Sequence, residues 1–354
     1  MKIKLLFITF SLFAVITSTQ VNSNTGFNTI LEYCTGTWCQ WCPCGHQIIN
    51  GILLSYPNTM VLGYHGAGSD PWQSYSAGIR AIFGFSAYPT GVVGRRTGII
   101  SRSAWPGNVS YQVTSINPGV SINVTSKSYN PSTRTFSANV VVTALDNLDG
   151  IYNINFVITE NNLVYPQTGN SQCPGGPDYV HKNVVKGMIN GDLGQQVNNS
   201  SPWNQGQSFT IPFSYVIPSG FVESNCVINM FVYKTGWSNI STDAFVQQTR
   251  MEGVTTPVGI VNSNEIPSKY SLEQNYPNPF NPKTNIKFSV PKGTKATLII
   301  YDIIGREVAR YLDAYIDAGT YNAEVDATGW SSGVYFYTLR TNEFTQTKKM
   351  ILSK

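Results

Sequence analysis

Charge is scarce in this sequence. Asp, Glu, Lys and Arg supply 12% of its 354 residues and leave a formal net charge of only +4, so no basic face is offered to a nucleic acid. Long apolar runs are scarcer. After residue 23 no stretch approaches roughly 18 apolar residues, and no transmembrane span is expected in the mature chain. The sequence holds no G-x-S-x-G, no P-loop and no Rossmann fingerprint, and no carboxylate pair stands out for glycoside chemistry. No cofactor is therefore implied. Cysteine and histidine are few, at six and three. Three of those cysteines and one of those histidines nevertheless fall within ten residues, TWCQWCPCGH, at 37–46.

The N-terminus decides the compartment. Lys2 and Lys4 precede the apolar run Leu5 to Ile16, and small polar residues follow as far as Ser23, the layout of a secretory signal peptide over 1–23. Outside the reducing cytoplasm cysteines can pair. The rest of the chain is long enough for two or three domains with cores of their own.

Residues 25–117 read as a mixed α/β unit. Strands around Ile30 to Tyr33 and Met60 to Tyr64 flank a helix-compatible segment reaching Leu54, an order that implies a parallel pair. Ser74 to Phe83 has helical spacing, and Gly91-Val92-Val93 a further strand. From 118 to 254 the period changes to two, as in Val120, Ile122, Val124 and Phe136, Ala138, Val140, Val142, the pattern of an antiparallel sandwich. The Gly-, Asn- and Pro-rich stretch from Pro166 to Pro202 predicts a long loop with one short helix or strand near Val180 to Met188. Residues 255–268 read as a linker, and 269–354 as a six-stranded sandwich with a stiff Pro-rich lead-in at 276–282.

Cys39-Gln40-Trp41-Cys42 is a C-x-x-C where a strand gives way to a helix. Unpaired amides of a first helical turn stabilise a thiolate. Cys39 is thus placed to attack and Cys42, three residues on, to resolve a mixed disulfide. His46 shares a helical face with both, where an imidazolium would lower a thiol pKa. Two other readings stand beside this one: a structural disulfide, with Cys34 and Cys44 also paired, and a metal site drawn from Cys34, Cys39, Cys42, Cys44 or His46. The metal reading lacks a matching second knuckle. His65, with Asp70, closes the second strand near the same edge; His181 is distant in sequence and reads as structural. Cys173 and Cys226 are expected to pair with each other in the middle unit.

Trp38-Cys39-Gln40-Trp41-Cys42 followed by Tyr88-Pro89-Thr90 resembles the thioredoxin fold. That resemblance implies a cis Tyr88-Pro89 bond facing the dithiol. Tyr33 stands where thioredoxins carry a buried acid, and Glu32 is the nearest substitute. The string from Glu32 to His46, with Gly63-Tyr64-His65-Gly66, Tyr88 to Val93 and Tyr179 to Asn183, resembles the Omp28-related family of exported bacterial proteins over about 25–250. Tyr276 to Pro282, Tyr301-Asp302, Gly305-Arg306, Ala318 to Tyr321, Gly333 to Tyr337 and Lys348-Lys349-Met350 resemble the C-terminal sorting domain of the type IX secretion system.

Together these imply a multidomain chain: an α/β thioredoxin-like domain followed by two β-sandwich, Ig-like domains. It would be secreted or held on the outer-membrane surface of a Gram-negative-type bacterium, by way of the periplasm. The type IX machinery would be its partner through 269–354, and a protein thiol or disulfide its substrate. Thiol-disulfide exchange would use Cys39, Cys42, Pro89, Glu32 and His46, with no metal. The competing function is a surface binding or adhesion protein whose thioredoxin-like scaffold the disulfide merely stabilises.

Overall fold

Ile30 to Thr35 and Met60 to His65 are buried along their whole length, as strands covered on both faces must be. In the computed structural model of the chain, which describes residues 26–199, 201–255, 267–292, 294–316 and 319–353, they form β1 (Ile30–Thr35) and β2 (Met60–His65). The expected signal peptide and residues 256–266 of the expected linker lie outside the described residues. β1 and β2 pair in parallel through α1 (Cys42–Ser55), as the strand–helix–strand order predicts. Pro43 sits in the first turn of α1, where its missing N–H has no helical partner to lose. Helix α2 (Ala77–Phe83) closes on Gly84 at φ 72°, a left-handed position suited to glycine. β3 (Thr90–Val93) returns antiparallel to β1, β4 (Ile100–Ser101) extends that edge, and α3 (Trp105–Ser115) follows.

The middle of the chain supplies β5 (Val120–Asn130), β6 (Thr135–Ala144), β7 (Tyr152–Glu160), β8 (Leu163–Val164), β9 (Val180–His181), β10 (Val184–Met188), β11 (Gln195–Gln196), β12 (Ser208–Val216), β13 (Cys226–Lys234) and β14 (Val246–Gly253). The region near Val180 to Met188 is thus two short strands. β10 pairs antiparallel with β7 and, through Val184 and Gly63, parallel with β2. One nine-stranded sheet results, ordered β14-β13-β7-β10-β2-β1-β3-β4 with β11 against β7. It runs across the 117/118 position, so the first two units share a sheet.

Strand alternation distributes the cores. One face carries a continuous layer from Ile30, Leu62 and Val92 to Val157, Phe231 and Val246. On the other face α1 and α3 cover Leu31, Tyr33 and Val61, through Ile49, Ile52, Trp105 and Val109. Further along, the three-stranded sheet β12-β6-β5 covers Phe156, Ile158, Ile228 and Met230.

The C-terminal unit contains all six expected strands, β16 (Lys283–Val290), β17 (Thr294–Tyr301), β18 (Glu307–Ile316), β19 (Gly319–Asp326), β20 (Gly333–Thr341) and β21 (Thr345–Leu352), preceded by the two-residue β15 (Ser271–Leu272). Sheets β15-β16-β19 and β18-β17-β20-β21 enclose Ile286, Phe288, Leu298, Ile300, Tyr337 and Leu339. The Pro-rich lead-in docks on this unit: Phe280 is buried and bridges Leu352, and Asn275 donates to the Pro277 carbonyl at 3.0 Å. The chain as described is mostly β, in several sheets, with few helices. Among the described residues no helix is long and apolar enough to cross a membrane.

Candidate functional site at the cysteine cluster

Helix α1 begins at Cys42, so Cys39 stands in the tight turn before it. The Cys39 amide donates to Gly36 O at 3.0 Å and the Cys42 amide to Cys39 O at 3.1 Å. Cys39 and Cys42 are joined as a disulfide. Cys39 keeps 4% of its surface exposed and Cys42 none, which makes Cys39 the more accessible of the pair. The rim is aromatic: Trp38 is 41% and Trp41 39% exposed. Trp38 packs on Tyr88 with ring centroids 5.2 Å apart, and the Arg102 guanidinium lies 5.4 Å from the Trp41 ring centre. The Tyr88–Pro89 bond is cis. Pro89 rests against α1 at Gly45, where an added Cβ would come within 3.2 Å of the proline ring.

Two further expected site residues sit in distinct surroundings. Glu32 lies on the sheet face opposite α1, because β1 pairs with β2 from Ile30 to Thr35 with no bulge to turn it. Its carboxylate is fully buried and accepts from Arg95 Nε at 2.8 Å, Arg95 Nη2 at 2.9 Å and Tyr64 Oη at 2.7 Å. It is an ion-pair partner of Arg95 there. His46 does lie behind the cluster, with Nδ1 2.8 Å from Tyr179 Oη and Nε2 3.2 Å from Thr35 Oγ1. Burial, helped by the neighbouring His65 and His181, pushes its pKa down to about 3. The expected imidazolium is therefore absent at neutral pH.

The pairing of the other cysteines also differs from expectation. Cys44 is joined to Cys173, 129 residues away, and not to Cys34. Cys226, the expected partner of Cys173, is a buried free thiol in the sandwich core, pushed up to about 12 first of all by burial. Cys34 is buried and free, with Sγ 3.0 Å from Ala87 O. With Cys39, Cys42 and Cys44 all in disulfides, Cys34 is the one free thiol among the cysteines of the metal reading.

Residues 77–252 match the family of the outer membrane protein Omp28, and residues 274–353 match a secretion system C-terminal sorting domain. The chain is Omp28-related and carries a secretion sorting tail. It is a secreted or outer-membrane surface protein of a Gram-negative bacterium. Against an expected span of 25–250, the Omp28 match begins at Ala77, beyond the cysteine cluster, so the dithiol has to be argued from its own geometry. Among solved structures, the chain is similar to HBP35 of Porphyromonas gingivalis, at 16% identity and TM-score 0.52 over 92% of this chain and 98% of that one. A domain of the outer membrane lipoprotein Omp28 from the same organism aligns at 15% identity and TM-score 0.24, over 39% of this chain and 88% of that one. No curated protein matches.

In this Omp28-related chain the three histidines meet. His181 of β9 lies with its ring centroid 5.6 Å from His65 and 6.2 Å from His46, and Trp72 packs edge-on against both His65 and His181. His181 thus joins the cluster behind α1. Burial pushes its pKa down to about 4. His65 Nδ1 is 2.8 Å from Asp70 Oδ2, which also accepts from the Thr37 amide at 2.9 Å. Burial raises the Asp70 carboxyl, but the His65 hydrogen bond and charge, with the Trp72 and Thr37 amides, outweigh it and leave it below the usual range. Asp70 therefore ties the cysteine turn to the end of β2.

The residues that sequence reasoning missed come from the 166–202 loop. Gln167 Nε2 donates to Gly36 O at 3.1 Å and to Cys39 O at 3.0 Å, the Thr168 amide to Thr37 O at 2.8 Å, and Asn170 Nδ2 to Gln40 O at 2.7 Å. The only signal in the sequence was Cys173, a cysteine with no local partner.

Proposed function

We propose that the region around Cys39 and Cys42 is a thioredoxin-like redox unit and that this exported protein exchanges disulfides with protein thiols. The observation that carries the reading is a disulfide at the N-terminus of α1, with Pro89 packed on that helix at Gly45 and Trp38 and Trp41 open to a partner chain. A substrate thiolate attacks Cys39 Sγ and the Cys39–Cys42 bond breaks. Cys42 leaves as a thiolate beside the free amides of the first turn, which favour that charge. A second substrate thiolate then attacks the substrate sulfur of the mixed disulfide and releases Cys39. The substrate leaves as a disulfide and the protein as a dithiol. The sorting tail hands the chain to the type IX secretion machinery, and deleting 269–354 is expected to leave it in the periplasm, as surface labelling of cells would report.

One observation favours a second reading, a binding or adhesion scaffold stapled by its disulfides: the 4% exposure of Cys39. The reduction potential of Cys39–Cys42, read by redox titration and mass mapping of alkylated cysteines, separates the two. A value between about −120 and −270 mV, with turnover of a protein dithiol, supports exchange; one below about −300 mV makes the bond a staple.

A further inference from the structure

The loop that covers the cysteine turn is itself closed. Gln167 and Gly176 exchange both backbone hydrogen bonds at 2.9 Å, and Asn170 Oδ1 accepts from the amides of Gln172 and Cys173 at 2.9 and 3.0 Å. Gly169 and Gly175 pass back to back, each leaving no room for a Cβ beside the other's backbone. This compact strap reaches the rest of the protein at two kinds of point. Its polar groups hold the carbonyls of Gly36, Thr37, Cys39 and Gln40, and its tip is bonded covalently to α1 through Cys173 and Cys44. Of the two disulfides, the latch is the more exposed, with Cys44 at 7% and Cys173 at 6%.

We propose that the Cys44–Cys173 disulfide is a redox-cleavable latch that keeps the 167–176 strap closed over Cys39, so that access to the Cys39–Cys42 bond depends on a second disulfide opening first. The opening agent is an external dithiol. One of its thiolates attacks a latch sulfur and forms a mixed disulfide, the other displaces it, and the latch ends as two thiols while the dithiol ends as a disulfide. The strap, then held by hydrogen bonds alone, opens locally without unfolding the sheet beneath it. The bearing of this latch on function rests on the exchange reaction proposed above, but the latch itself does not.

The test uses the oxidised, full-length mature chain with dithiothreitol as the probe, quenched by alkylation and mapped by mass spectrometry. Labels are expected on Cys44 and Cys173 before Cys39 and Cys42; the reverse order overturns the proposal. In the double variant C44S/C173S, reduction of Cys39–Cys42 is expected to be at least about tenfold faster, the strap having lost its covalent restraint. An unchanged rate overturns it. If that variant does not fold, Q167A/N170A, which keeps both disulfides, replaces it: a several-fold faster opening of Cys39–Cys42 than in the natural chain supports the latch, and an identical rate defeats it. Loss of turnover on protein dithiols with these rates intact would remove the exchange reading and leave the latch standing.

Discussion

The region up to residue 255 and the C-terminal unit use charge in opposite ways. In the first, several ion pairs are buried, among them Glu32 with Arg95 and Glu160 with Lys186 at 3.1 Å. In the second, pairs such as Lys292–Glu343, Lys287–Glu273 and Arg310–Glu307 have side chains roughly half exposed, and the interior is apolar. A buried pair stabilises little by forming, yet losing one partner strands a charge. An exposed pair can be lost at almost no cost. The first region is therefore brittle to single polar substitutions, and the tail is tolerant of them.

The strongest test of that contrast is Arg95→Met. Its guanidinium holds Glu32 and lies 4.4 Å from the Tyr233 ring centre and 4.9 Å from that of Phe231, joining β1 to β13 across the shared sheet. Removing it leaves a buried carboxylate, with an expected loss of about 3–5 kcal/mol by urea denaturation. The double variant Arg95→Met/Glu32→Gln should recover part of that. No loss in the single variant would erase the distinction between the regions.

A smaller effect should appear with pH. His46 and His181 have folded pKa values of about 3 and about 4, below the unfolded value of about 6.5. The unfolded chain binds more protons between those limits, so the contribution is complete above about pH 6.5 and is lost as pH falls towards 4 and then 3. Asp70, also depressed, adds a loss only below the ordinary aspartate range. The urea midpoint of the first region should fall from pH 7 to 4.5, and His46→Asn should flatten that slope; a flat profile in the natural chain would contradict it. The tail has no histidine and should not follow this curve.

The smallest effect sharpens the other side. Lys292→Ala breaks a 2.7 Å pair with Glu343, but both groups face solvent, and the midpoint of the tail's unfolding should barely move. A larger shift would mean that its surface charges form a network.

What sequence could and could not reveal follows the same division. Every strand of the tail from β16 on was legible, helped by strands that alternate between a buried and a wet face, as in Lys283 to Phe288. β1 and β2 were legible as apolar runs, but a run buried on both sides hides which residue faces which way, and so the side of β1 that Glu32 takes was not legible. α3 was missed, its buried Trp105, Val109 and Val113 being diluted by polar neighbours. The histidine cluster, the strap and the Cys44–Cys173 bond join segments more than a hundred residues apart, and no local period encodes such meetings. The C-x-x-C was visible because its two cysteines are near neighbours, and the Pro89 element through its resemblance to the thioredoxin fold.

The pairing of Val184 with Gly63 has a consequence for the order of events when the chain folds. β2 is an inner strand, and the neighbour that completes it comes from 121 residues later. Until that partner arrives, the α/β portion presents an open, apolar strand edge, the kind of surface on which other chains assemble. Long-range pairing of this sort is slow to find. A chain made from its N-terminus must therefore carry an unfinished sheet until residue 184 is available, which makes that interval, more than the finished fold, the moment when a companion protein would be needed.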